Sequence, residues 1–170
     1  GGYSHQVSIP HPYFQKSYIQ NLWYARNKFS QFQITIEATH HGPTALKKPT
    51  LFVEIGTTEK EWNDVNLCNS VAQIIVNEME KIPKFYPVAI CFGGTHYPEK
   101  FTNELIHGEY SLGTVIPKHA LEQIDQSLFS HIIQRNKGAT AALLDWNSMG
   151  KNKQKILEML QETELEIIRL

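Results

Sequence analysis

Val88-Ala89-Ile90-Cys91-Phe92-Gly93-Gly94 is a run of five apolar residues closed by two glycines. A short apolar run bounded by turn residues and rich in strand-favouring side chains reads as a strand buried on both faces. Strands of that kind belong to parallel sheets with helices packed on each side. Working outward, residues 112–116 and 139–144 repeat the pattern, and 166–169 offers a short further strand. Residues 33–38 alternate polar and apolar, as a half-buried strand does, and 50–55 is a more continuous apolar strand broken only by Glu54.

Between the strands the periodicity turns helical. Pro10 and Pro12 suit the first turn of a helix running to about Lys28. Thr57 or Thr58 caps another helix, with Glu59 and Glu61 at its positive end. That helix loosens around Asn63 to Asn66 and resumes at Leu67, burying Leu67, Cys68, Val71, Ala72, Ile75 and Met79 until Pro83 ends it. Further helices are expected over 118–126, 128–135 and 151–161. Strands alternating with helices give an α/β fold, a mainly parallel sheet with helices on both faces, in a single domain over residues 1–170.

Composition narrows the function classes. Sixteen Lys plus Arg against seventeen Asp plus Glu exclude a broadly basic nucleic-acid coat and leave only local basic patches. Cys68 and Cys91 are far apart and in no CxxC spacing, so they read as reduced packing residues of a cytoplasmic protein. No apolar run approaches the roughly 18–20 residues that a membrane span needs, so no membrane partner is expected.

The chemistry-bearing residues follow strand ends. His40 and His41 come after residues 33–38, and Thr44 after the Gly42-Pro43 turn; Glu54 nears the end of 50–55. Gly93, Gly94, Thr95 and His96 follow residues 88–92, Lys118 and His119 follow 112–116, and Asp145 and Trp146 follow 139–144. In an open α/β sheet, ligands bind beyond the carboxyl ends of parallel strands, so one crevice would gather these groups. Imidazole is a neutral-pH base and a common metal ligand. Glu54, alone in an apolar run, reads as a buried carboxylate needing a partner: a metal ion, a histidine or a core cation. The Gly93 to Thr95 amides could form an oxyanion hole. The bland alternatives are a solvated histidine turn, a simple Gly-Gly turn and surface lysines.

Glu37-Ala38-Thr39-His40-His41-Gly42-Pro43-Thr44 is followed by Phe52-Val53-Glu54-Ile55-Gly56-Thr57-Thr58-Glu59-Lys60-Glu61-Trp62. Then come Gly94-Thr95-His96-Tyr97, Lys100-Phe101-Thr102, Ile116-Pro117-Lys118-His119-Ala120 and Leu144-Asp145-Trp146. From about residue 31 onward this order resembles the archaeal- and plant-type D-aminoacyl-tRNA deacylases. The resemblance implies a cytoplasmic, zinc-dependent hydrolase that proofreads charged tRNA by cleaving the ester of D-aminoacyl-tRNA. It also implies a fold like those of purine nucleoside phosphorylases and peptidyl-tRNA hydrolases. On that reading His40, His41 and His96 hold zinc, with Glu54 as a further ligand or as a partner that orients an imidazole. Thr44, Gly93, Gly94, Thr95, Lys118, His119, Asp145 and Trp146 meet the tRNA acceptor end, and a monomer is expected. The pattern differs at Thr95, where the family has glycine, at Thr114, where it often has histidine, and at Asn147, where it has lysine. A family segment with its own histidine motif would precede Gly1. The competing readings are a related nucleoside or peptidyl-tRNA hydrolase and an inactive tRNA-binding relative.

Overall fold

The computed structural model describes every residue except Gly1, His41, Thr57 and Pro83. Four strands lie at its centre: β1 (Val88–Phe92), β2 (Ser111–Ile116), β3 (Ala139–Leu144) and β4 (Glu166–Arg169). All pairings are parallel, in the order β2-β1-β3-β4, so every strand ends at the same edge. β1, an uninterrupted apolar run, and β2, which carries Ser111 and Thr114 among its apolar residues, are both buried along their whole length.

Side-chain alternation along the strands feeds two cores. Ala89, Cys91, Val115, Ala141 and Leu143 pack with Ile19 of α1 (Pro12–Tyr24). A short α2 (Glu59–Trp62) and a longer α3 (Val65–Met79) precede the sheet, and α4 (Glu99–His107) adds Phe101 and Leu105 to this first core. Ile90, Phe92, Ile116, Ala142 and Leu144 face the other way. They meet Phe129 and Ile132 of α5 (Gln126–Arg135), and Ile156 and Leu160 of α6 (Lys153–Gln161). Helices therefore cover both faces. Each of these side chains removed from water contributes roughly 1.5–3 kcal/mol for a residue the size of Leu or Phe.

α3 forms an outer layer on α1. Leu67 and Val71 join Tyr18 and Phe29 in a third cluster. The same interface buries Glu78, which accepts from the Ser17 hydroxyl and from Asn21 Nδ2 and pairs with Lys81. A second buried charge ties α1 to α4. The fully buried Lys16 donates from Nζ to the carbonyls of Leu105 (3.0 Å), Gly108 (3.0 Å) and Tyr110 (2.8 Å). Leu105 is in the last turn of α4, whose end leaves carbonyls unpaired and favours a cation, while Gly108 caps the helix and Tyr110 precedes β2.

Several expectations are corrected. Residues 33–38 and 50–55 run extended but outside the sheet. The first reaches the outer edge of β2 through Thr39, whose N–H donates to the Val115 carbonyl (2.8 Å) while its Oγ1 accepts from the Val115 N–H (3.0 Å). Glu54 is exposed rather than buried. Of the helix expected over 118–126 there is only a 3-10 turn at Leu121–Gln123 before α5 opens at Gln126, and α4 forms where no helix was expected. On α3 the buried stripe runs through Glu78, and Met79 is 72% exposed. Thr58 caps α2 with Glu61 reaching back to it, and Asp64 restarts the chain as α3. The alternative cap Thr57 and the terminator Pro83 lie outside the described residues.

Candidate active site

β1 ends at Phe92, and the chain turns through Gly93 (φ 104°) and Gly94 (φ 77°), a left-handed conformation that glycine adopts without steric cost. Gly93 also has no room for a side chain, because a Cβ there would stand 2.7 Å from Ser148 Oγ and 2.9 Å from the Asp145 carbonyl. The turn delivers His96 beside the extended segment 37–40. There the Ala38 N–H donates to the His96 carbonyl (2.8 Å), so the two histidine-bearing stretches are tied through their backbones.

That tie brings Glu37, His40 and His96 together, with one potential ligand atom from each lying within 4.8 Å of the others. Glu37 stands between the imidazoles, Oε2 at 3.7 Å from His40 Nε2 and Oε1 at 3.6 Å from His96 Nε2. The two rings lie 4.6 Å apart. His40 Nδ1 is 2.7 Å from the Ala38 carbonyl, which can only accept; Nδ1 therefore carries the proton and the Nε2 lone pair is turned to the cluster. Tyr97 stacks edge-on against His96, and its hydroxyl donates to Glu37. That bond, and the Glu37 charge behind it, raise the Tyr97 pKa above the ordinary phenol value. Two imidazoles and a carboxylate at this spacing are a donor set that suits Zn2+ with a position left for substrate or water.

A groove of about 600 Å3 adjoins the cluster, with Glu37, His40, Glu54 and Tyr97 among its lining residues. Glu54 thus shares the groove without being one of the three clustered groups, and its place is taken by Glu37, a residue the sequence reading passed over. In an alternating segment Glu37 occupies the polar phase, which reads as solvent-facing; the informative signal was its i, i+3 spacing to His40. Tyr97 was missed because nothing in its local pattern separates it from an exposed aromatic. His41 lies outside the described residues.

The other expected contacts are engaged elsewhere. The Gly93 N–H donates to the Ile116 carbonyl (2.9 Å) and the Gly94 N–H to Ser148 Oγ (2.6 Å), so neither amide forms an oxyanion hole. Thr44 is buried, its Oγ1 accepting from the Tyr3 N–H and its carbonyl from Arg135. Asp145 pairs with Lys100 at 2.8 Å, and Trp146 lies under the Arg169 guanidinium, 4.0 Å from its ring centre. Thr95 bonds its own loop through the Tyr97 carbonyl. Lys118 and His119 are exposed and do not line the groove. Thr114 is held by Asn136, which donates to its hydroxyl (2.7 Å) and accepts its N–H (2.9 Å). The single crevice expected at the strand ends therefore resolves into one histidine cluster with a groove and a separate, internally bonded β3–β4 corner.

Fold and cluster together define an α/β protein that gathers two imidazoles at the carboxyl edge of a parallel sheet. The chain belongs to the D-aminoacyl-tRNA deacylase family, whose family model matches residues 1–168 and so extends the likeness to the N-terminal helix. It is 54% identical over 168 residues to a D-aminoacyl-tRNA deacylase of Cenarchaeum symbiosum, covering 99% of this chain and 65% of that one. A D-aminoacyl-tRNA deacylase of Methanosarcina mazei is 34% identical over 172 residues, covering 99% and 56%. The chain thus spans somewhat under two thirds of the length of these curated relatives. A crystal structure of a conserved protein of unknown function superposes with a TM-score of 0.92 at 27% identity, covering 99% of this chain and 60% of that one. No helix among the described residues is long and apolar enough to cross a membrane.

Proposed function

We propose that this chain carries the hydrolytic site of a cytoplasmic D-aminoacyl-tRNA deacylase, cleaving the ester that joins a D-amino acid to the 3′-terminal ribose of tRNA. The observation that carries the reading is the Glu37–His40–His96 cluster beside a groove, in a chain of this family. Aminoacyl esters are intrinsically reactive, so the site has chiefly to position the carbonyl and manage one proton. Water adds to the carbonyl carbon and gives up a proton, the acyl C–O bond breaks, and the ribose oxygen leaves with a proton. The His40 ring, its Nδ1–H fixed on the Ala38 carbonyl, presents its one lone pair, on Nε2, to the cluster as the atom that would ligate an ion. Glu37 orients both rings, and Tyr97 in turn orients Glu37. Glu37, His40 and His96 would hold zinc, with His41 adjoining them in sequence. Bound there, the ion would supply Lewis acidity and ready deprotonation of water near neutral pH.

Single-turnover cleavage of D-Tyr-tRNA beside L-Tyr-tRNA tests this, with zinc-supplied and EDTA-treated protein. Selective loss of the D-ester is expected, abolished by chelation, and reduced about 10²–10⁴-fold by His40→Ala or His96→Ala. Equal cleavage of both esters, or full activity in either variant, would exclude the assignment.

A further inference from the structure

The cations around the β3–β4 corner are not equivalent. Lys100 pairs with Asp145 and donates to the Leu170 main-chain oxygen, Lys151 pairs with Glu122, and Lys155 donates to the Glu122 carbonyl. Lys153 and Arg169 make no hydrogen bond or ion pair with a described residue. What they share is one ring. The Arg169 guanidinium carbon lies 4.0 Å from the centre of Trp146, and Lys153 Nζ lies 4.9 Å from it. Trp146 packs against the second core, so the ring that gathers them is a fixed platform. Each cation is drawn to the ring, but the two repel each other. The acids paired at this corner, Asp145 and Glu122, are already taken by Lys100 and Lys151.

A phosphate group answers two such cations: the guanidinium forks onto two of its oxygens, and the ammonium adds a point charge. The chain as a whole carries a formal charge of −1, so its overall field does not attract a polyanion, and local groups must. Trp146 follows β3 and Arg169 ends β4, which puts the pair at the same carboxyl edge of the sheet as the histidine cluster. In the order β2-β1-β3-β4, the cluster is reached from β1 and β2. The corner therefore stands two or three strand spacings away, roughly 10–15 Å. A nucleotide strand covers that span in three or four steps of about 3.4 Å. Resting on the deacylase reading, we propose that Lys153 and Arg169 form a phosphate seat for the RNA strand that carries the ester. One backbone phosphate, a few nucleotides before the ester, bridges the guanidinium and the ammonium beside Trp146. The contact is to the backbone, so it positions the strand without reading its sequence or the amino acid it carries.

Fluorescence anisotropy with labelled, uncharged tRNA, titrated at a series of KCl concentrations, tests the seat in Lys153→Gln, Arg169→Gln and the double variant. Each single change should weaken binding about two- to fivefold. In the double variant the slope of log Kd against log salt should fall by about 0.7–0.9, the release expected from one phosphate. KM for D-Tyr-tRNA should rise by the same factors with kcat little changed, and the melting temperature should stay at the wild-type value. Lys137→Gln removes an exposed lysine from the opposite edge of the sheet, just before β3, and should change none of these. An unchanged salt slope in the double variant would overturn the proposal, as would an equal loss in Lys137→Gln, which would mean only a diffuse charge effect. A marked fall in melting temperature would overturn it too, by giving the two cations a structural role on Trp146. Inorganic phosphate that binds wild type at micromolar concentration and displaces tRNA would assign the corner to a free anion instead. Salt-dependent tRNA binding through this pair without cleavage of any D-ester would sink the deacylase reading alone. Cleavage with a KM that neither substitution moves would sink the phosphate seat alone.

Discussion

Residues 88–92 and 50–55 are apolar runs of nearly equal length with opposite outcomes. The first is β1, buried at every residue and bonded along both edges to β2 and β3. The second stays extended and unladdered, with Val53 and Ile55 turned to the outer core while Phe52 is 52% exposed and Glu54 exposed. Apolar content sets the demand for burial, but the backbone's need for partners decides where it is met. Where neighbouring strands take up both edges of a run, it becomes core. Where one side of the run packs and the other does not, it becomes a wall, and here Leu51, Phe52 and Val53 wall the groove.

The sharpest way to break that contrast is Phe92→Ala, at the carboxyl end of the central strand β1. A loss of about 3–5 kcal/mol in urea unfolding is expected from a fully buried aromatic; a loss near zero would mean that β1 is no more constrained than the wall. Thr39→Val is next, removing the hydroxyl that holds the 37–40 segment to β2. Stability should fall by only about 0.5–1.5 kcal/mol, while single-turnover deacylation falls on the order of 10²-fold as His40 shifts. Parallel small losses in both would show that the tie does not position the cluster. Phe52→Ala should be the mildest, changing stability by no more than about 0.5 kcal/mol, since half of that ring is already in water. A change comparable to that at Phe92 would erase the distinction between wall and core.

The four sheet strands could be read from the chain because each carries its own apolar run. Residues 33–38 and 50–55 could not be told from strands by pattern, since alternation records that one side is buried and not what borders the backbone. α4 escaped because it is only nine residues long, although Phe101, Leu105 and Ile106 share one face at helical spacing opposite Glu99, Lys100, Asn103 and Glu104. Half of the site was legible for a similar reason. His40 and His96 stand out as imidazoles after extended runs, whereas Glu37 matters only once two segments some sixty residues apart are tied through Ala38 and His96. The glycine amides misled in the opposite direction. Their loop is where the fold places such donors, but Ser148 and Ile116 had already used them.

Lys16 gives the molecule a built-in recorder of its own opening. The other described lysines are exposed or half-buried, so an amine-acylating reagent marks them as soon as it is added. The Lys16 nitrogen, sealed against three carbonyls of α4 and the turn after it, can react only in the interval when α1 has lifted away. Once acylated it has lost its charge and cannot restore those three bonds, so each event is retained. Mass-spectrometric occupancy at that one position therefore counts, over hours, how often the helix that carries Tyr18 leaves the sheet.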